Sequence, residues 1–228
     1  MSIQGVIFDA YGTLFDVHSI GKRAEQLFPG MGPSISTLWR DKQIEYSRLV
    51  SLADPGPSGS RYYRTFWELT RAALEYALQR MGVRYAAPDV DELMRGYAAL
   101  EAFPECAHAL RSLRSKGVMT AILSNGSPDM LHDALRSSGL DILIDHVISV
   151  DSVRHFKTHP VCYDLASTRL NVSVKSLMFV SSNGWDVMAA TWFGFRTCWV
   201  NRQGLPLETI GEAPHHVLAN LEGVEHVL

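Results

Sequence analysis

Four apolar runs in this 228-residue chain end in groups able to do chemistry. Asp9 follows "GVIF", and Ser124, Asn125 and Gly126 follow "VMTAIL". Asp151, then a loop with Lys157, follows "HVISV"; Ser181, Ser182, Asn183 and Asp186 follow "LMFV". If the runs are strands of an open parallel sheet, ligands bind outside their carboxyl ends, and these groups share one crevice. A lysine there would hold the Asp9 carboxylate ionised through a charge-assisted contact. In "SNGSPDML", Ser127 suits an N-cap, Pro128 the first helical position and Asp129 the first turn. The free N–H groups of that helix start, with the Ser124 hydroxyl and the Asn125 amide beside them, make an anion site for a phosphate or a carboxylate. Ser124 and Asn125 equally suit a plain turn. Arg40, in "LWRDKQ", is either a solvated helix residue or a cation of the site, and the second role requires its helix to fold over the crevice.

The runs "GVIF" (5–8), "VMTAILS" (118–124), "HVISV" (146–150), "LMFVS" (177–181) and "TCWV" (197–200) are nearly all apolar, as strands covered on both faces are. Between later runs there is room for one crossover helix each, which predicts a doubly wound, Rossmann-like parallel α/β sheet. The long interval after the first run reads instead as helix: amphipathic patterns at 17–28, 36–52, 62–82 and 89–100, broken by "ADPGPSG". The expected organisation is a catalytic core of residues 1–16 and 99–228 with an inserted helical-bundle cap at 17–98. Trp39 and Trp67 read as the bundle's own core; Phe66 is open to either role.

A net charge of -3 argues against a nucleic-acid partner, which calls for a basic face. No apolar run approaches the roughly 20 residues that span a bilayer, and the N-terminus lacks a basic region and a cleavage site, so a cytoplasmic protein is expected. Cys106, Cys162 and Cys198, without a CxxC, read as reduced packing thiols. The nine histidines contain no HExxH or comparable spacing, and no metal site is expected from them.

Together these residues resemble the haloacid dehalogenase superfamily, whose first motif, Asp-x-x-x-Thr after a strand, stands here as Asp9-Ala10-Tyr11-Gly12-Thr13. Ser124 matches its second motif, Lys157 its third and "SSNGWD" its fourth, so the resemblance covers the whole chain. The (S)-2-haloacid dehalogenases are most similar, sharing "FDAYGTLFD", "LWRDKQIEYSRL", "FWELTRAAL", "LSNGSPDML" and "FVSSNGWD" in this order. Phosphatases of the superfamily place an aspartate two residues after the nucleophile, as acid for the leaving alkoxide, and hold magnesium with acids of the fourth motif. This chain has Tyr11 at the first position and Ser182 and Asn183 where the metal pattern prefers acids. A departing halide needs no proton, and a carboxylate substrate can be held by N–H groups and an arginine.

The resemblance therefore implies metal-independent, cofactor-free hydrolysis of a small 2-haloacid, with Asp9 attacking the α-carbon and water then opening the Asp9 ester. It casts Lys157 as the group orienting Asp9, and Ser181, Asn183 and Asp186 as positioning the carboxylate and the water, Asp186 drawing off a proton. Thr13 braces the Asp9 loop. Ser124 holds the substrate carboxylate; Arg40, Asn125 and Phe66 line the halide side; Tyr11, Leu14 and Trp185 form an apolar wall; and Tyr163 matches a family tyrosine that is expected on the substrate side. A homodimer is expected. Thr158 stands where the family commonly has proline, a change that removes no reactive group. The rival readings are a magnesium-dependent phosphatase of the same superfamily and a non-catalytic binding module on the same scaffold.

Overall fold

β1 (Gly5–Phe8), β2 (Met119–Ser124), β3 (His146–Ser149), β4 (Leu177–Ser181), β5 (Arg196–Val200) and β6 (His216–Leu218) form one sheet in the order β3-β2-β1-β4-β5-β6. The computed structural model describes residues 2–228, and every neighbouring pair of strands in it is parallel. Strand order reverses at β1, flanked by β2 and β4, and such a switch point opens a crevice at the strands' carboxyl ends. Val6, Ile7 and Phe8 are wholly buried. Burial of each such side chain contributes roughly 2 kcal/mol, so β1 is a rigid stem for the aspartate at its end. The crossover helices are α5 (Cys106–Ser115), α6 (Pro128–Ser138), α7 (Pro160–Leu170) and α8 (Gly184–Phe193).

Between β1 and β2 lie α1 (Ile20–Leu27), α2 (Gly32–Ala53), α3 (Phe66–Arg80) and α4 (Ala87–Ala98). The chain enters and leaves this helical layer through adjacent segments: Asp16 N–H donates to Glu101 O at 2.8 Å, and Phe103 N–H to Leu14 O at 3.0 Å. Trp39 is buried and donates through Nε1 to Thr70 O at 2.7 Å, while Trp67 is only half-buried against the core.

Boundaries differ from the sequence patterns where caps outweigh periodicity. Pro33 and Pro88 start α2 and α4 earlier than the apolar spacing does, being suited to a first helical turn. α3 starts later than its pattern because Thr65 caps it in a reciprocal box with Glu68. β6 has no counterpart among the apolar runs; "HVL", three residues long, is too short to announce itself and becomes a strand by pairing with β5. Among the described residues no helix is long and apolar enough to cross a membrane.

The turn after α2 lies directly on the segment beyond β3. Gly59 has φ +86°, and a Cβ there would stand 2.6 Å from Arg154 Cβ and 2.9 Å from Val153 O. Gly59→Ala should therefore cost about 2 kcal/mol, from the left-handed backbone and the clash together, and lower the melting temperature by about 4–8 °C. Thermal unfolding followed by circular dichroism checks this.

Candidate active site

Asp9 continues β1 by one residue, its N–H bonded to Val180 O at 2.9 Å, so its carboxylate stands at the switch point with little freedom. One carboxylate oxygen, Oδ1, faces the Lys157 ammonium at 3.1 Å. The other, Oδ2, accepts from Asn183 Nδ2 at 2.8 Å, Thr13 Oγ1 at 3.2 Å and Ser181 Oγ at 3.5 Å. The ammonium also reaches Asp186 Oδ2 at 3.0 Å, and Tyr163 OH donates to Asp186 Oδ1 at 2.6 Å. Lys157 is 1% exposed and Asp186 not at all.

Two carboxylates thus share one ammonium in a dry place, and the titrations reflect that count. Burial alone would lower the Lys157 pKa, but the charges of Asp186 and Asp9 more than offset it and the net shift is upward. Burial pushes the Asp186 carboxyl up to about 6, with Asp9 adding to the rise and Lys157 and Tyr163 opposing it. Burial also holds the Tyr11 phenol well above its ordinary range, so that it stays protonated.

The helical layer does fold over the crevice. Arg40, on α2, donates through Nη2 to Asn183 Oδ1 at 2.7 Å and to Tyr11 O at 3.3 Å, so it steadies the amide that holds Asp9. The Tyr11 ring packs against Tyr97 of α4 at 5.5 Å and Phe66 of α3 at 6.0 Å between centroids. Gly126 makes this placement possible, since a Cβ there would lie 2.8 Å from Tyr11 Cε2. Leu14 is wholly buried behind the Asp9 turn. Trp185 is half-buried with the Arg48 guanidinium 4.7 Å over its ring. It lines a cleft of about 730 Å³ together with Gly12, Arg40, Ser182 and Asn183.

On the other side of Asp9, Ser124 ends β2, is wholly buried and accepts from Gly126 N–H at 3.1 Å. Ser127 occupies the N-cap of α6 with no side-chain capping bond, so it covers none of that helix's free N–H groups. Asn125 turns its carbonyl oxygen to Lys157 N–H at 2.9 Å and so fastens the lysine loop. Tyr163 departs from expectation: it is buried beside Phe179, Phe193 and Phe195, beneath Asp186, and its hydroxyl serves that carboxylate rather than a substrate.

Two further residues support the site. Gln43 bonds the Thr70 hydroxyl at 2.6 Å and Tyr97 OH at 3.1 Å, and so fixes the ring stacked on Tyr11. Ser182 supplies N–H to Thr13 Oγ1 at 2.8 Å. Gln43 lies on ordinary helical spacing and gave no sequence signal, whereas Ser182 stands among the polar residues that follow "LMFV".

A family model for haloacid dehalogenase-like hydrolases matches residues 3–194. The chain is 40% identical over 222 residues to an (S)-2-haloacid dehalogenase of Pseudomonas sp. (strain YL), covering 97% of this chain and 93% of that one. It superposes on the crystal structure of an L-2-haloacid dehalogenase with a TM-score of 0.96 at 50% identity, covering 100% and 99% of the two chains. A Xanthobacter autotrophicus L-2-haloacid dehalogenase with chloropropionic acid covalently bound gives 0.89 at 37% identity, covering 99% and 98%.

The Tyr163 contact makes the Asp186 titration testable. A donor to a carboxylate favours its charged form, so Tyr163→Phe should raise the Asp186 midpoint above its value of about 6. The carbon-13 carboxyl shift of Asp186 against pH reads this directly, and the acid form should persist to higher pH in the variant.

Proposed function

The chain belongs to the haloacid dehalogenase-like hydrolases, and on that premise we propose that it hydrolyses (S)-2-haloalkanoic acids to (R)-2-hydroxyalkanoic acids and halide through an ester on Asp9. The observation that carries this reading is the buried Asp9 carboxylate, paired with Lys157, with Tyr11 in place of a carboxylic acid two residues further on.

In the first step an Asp9 carboxylate oxygen attacks the substrate α-carbon opposite the carbon–halogen bond. A C–O bond forms, and the halide leaves with the C–X electron pair. Oδ1, whose partner is Lys157, is less encumbered than Oδ2 with its three donors. Ser124 and the start of α6 hold the substrate carboxylate, while Arg40, Asn125 and Phe66 border the departing halide. Tyr11, Leu14 and Trp185 give the apolar side.

In the second step water adds to the Asp9 ester carbonyl. Asp186, raised toward neutrality, takes a proton from it, and Lys157 offsets charge developing on the carbonyl. Ser181, Asn183 and Thr13 keep the carboxylate in place. The alkyl oxygen leaves with a proton as the hydroxyl of the product, and Asp9 retains an oxygen from water. Net, water and the haloacid become hydroxyacid, halide and a proton, with the α-carbon inverted.

Residues 17–98 act as a cap in this scheme: they exclude water above Asp9 and leave the cleft beside Arg40 and Trp185 for passage. Three buried free thiols fit a reducing cytoplasm, and the exposed Leu49 and Leu52 of α2 suit a second copy of the chain. Magnesium has no place in the scheme: beside Asp9 stand the Ser181 hydroxyl and the Asn183 amide, and an ammonium bridges the two carboxylates.

Racemic 2-chloropropionate tests the proposal. Chloride release should stop when half the substrate is gone, leave the (R) enantiomer, yield (R)-lactate and not change when magnesium is chelated. Consumption of both enantiomers, or turnover of an aryl phosphate on adding magnesium, would refute it.

A further inference from the structure

Lys157 is flanked in "RHFKTHP" by two histidines that the chemistry above does not use. Their rings lie face to face, 4.1 Å between centroids and 4° from parallel. His155 Nε2 is 2.8 Å from Gly56 O, and His159 Nε2 is 3.3 Å from Pro55 O, so both reach the same turn beyond α2. A carbonyl oxygen only accepts, so both Nε2 atoms carry the proton. His159 Nδ1 accepts from Val161 N–H at 3.3 Å, and His155 Nδ1 is buried without a partner. Each ring therefore donates from Nε2, and a second proton on His159 would break its bond to Val161.

We propose that His155 and His159 are positioning residues: a stacked pair that hangs the Lys157 loop from the Pro55–Gly56 carbonyls and so sets the reach of the ammonium. The proposal rests on the role given to Lys157 above. Burial lowers the His159 pKa, in keeping with a neutral His159 ring. Neighbouring bonds act in the same direction. Phe156 N–H donates to Ser51 Oγ at 2.8 Å, and the Phe156 ring lies 5.2 Å from Tyr63 and 5.9 Å from Phe66 between centroids. The helical layer thereby grips the residues on both sides of Lys157, while Asn125 holds the lysine's own N–H. A shift of the loop moves the ammonium away from Asp9 and Asp186 together, without moving a group that touches substrate carboxylate.

The test compares His155→Leu, which removes donor and stack, with His155→Gln, whose amide restores a donor toward Gly56 O. A second pair, His159→Leu and His159→Gln, changes a half-exposed ring and keeps the test alive if His155→Leu does not fold. The Leu variants should lose about tenfold to 100-fold in kcat with KM within about twofold, and the Gln variants should recover most of the loss. The Asp186 carboxyl midpoint, read by carbon-13 shift, should rise in the Leu variants as the ammonium recedes, and return in the Gln variants. Folded Leu variants with unchanged kcat and an unchanged midpoint would overturn the proposal, as would Gln variants as impaired as Leu. The midpoint needs no substrate, so it separates this inference from the assigned reaction: a wild type inactive on 2-chloropropionate defeats the reading above, and an unmoved midpoint defeats the latch.

Discussion

An ammonium between two buried carboxylates is the constraint around which this protein is arranged. Asp9 and Asp186 stand at the ends of neighbouring elements with almost no access to water, and Lys157 faces each at 3.1 and 3.0 Å. Taking one partner from such a group leaves an uncompensated buried charge, at a cost of about 3–5 kcal/mol. The sheet supplies the first carboxylate rigidly, the first turn of α8 the second, and the loop after β3 has to deliver the lysine from a third direction. Asn125, Ser51 and the two histidines bond that loop from both sides.

The same crowding selects the chemistry. Donors converge on one Asp9 oxygen, while Lys157 is the partner of the other, so the carboxylate is oriented yet keeps a face for attack. Two residues beyond it stands Tyr11, its ring packed against Phe66 and Tyr97, where a phosphatase of the superfamily has a carboxylic acid for the leaving alkoxide. A substrate whose leaving group departs as a stable anion suits that environment, and a phosphoester does not. Arg40 couples the helical layer to this choice, because its bond to Asn183 reaches the amide that grips Asp9.

Much of this is legible in the chain. Strands with buried apolar runs mark themselves, and polar residues just past their ends can be placed in one crevice by topology alone; Asp9, Ser124, Lys157, Ser181, Asn183 and Asp186 all come to light that way. Tyr163 is misplaced by sequence because a family tyrosine near a lysine reads as substrate-facing, whereas the α7 backbone points it into the core beneath Asp186. Gln43, Tyr97, Ser51 and His155 cannot be read at all. Each sits at helical or loop spacing indistinguishable from packing, and acquires meaning only when the helical layer closes on the sheet. β6 escapes for a related reason, being a strand by virtue of its neighbour rather than its own pattern.

The covalent role of Asp9 is the central claim, and one single-turnover reaction in heavy-oxygen water, with enzyme in excess over 2-chloropropionate, tests it most directly. The account predicts one heavy oxygen in the Asp9 peptide by mass spectrometry and none in the first lactate released. Label in that lactate with Asp9 unlabelled would mean that water attacks the α-carbon itself, and would contradict the account.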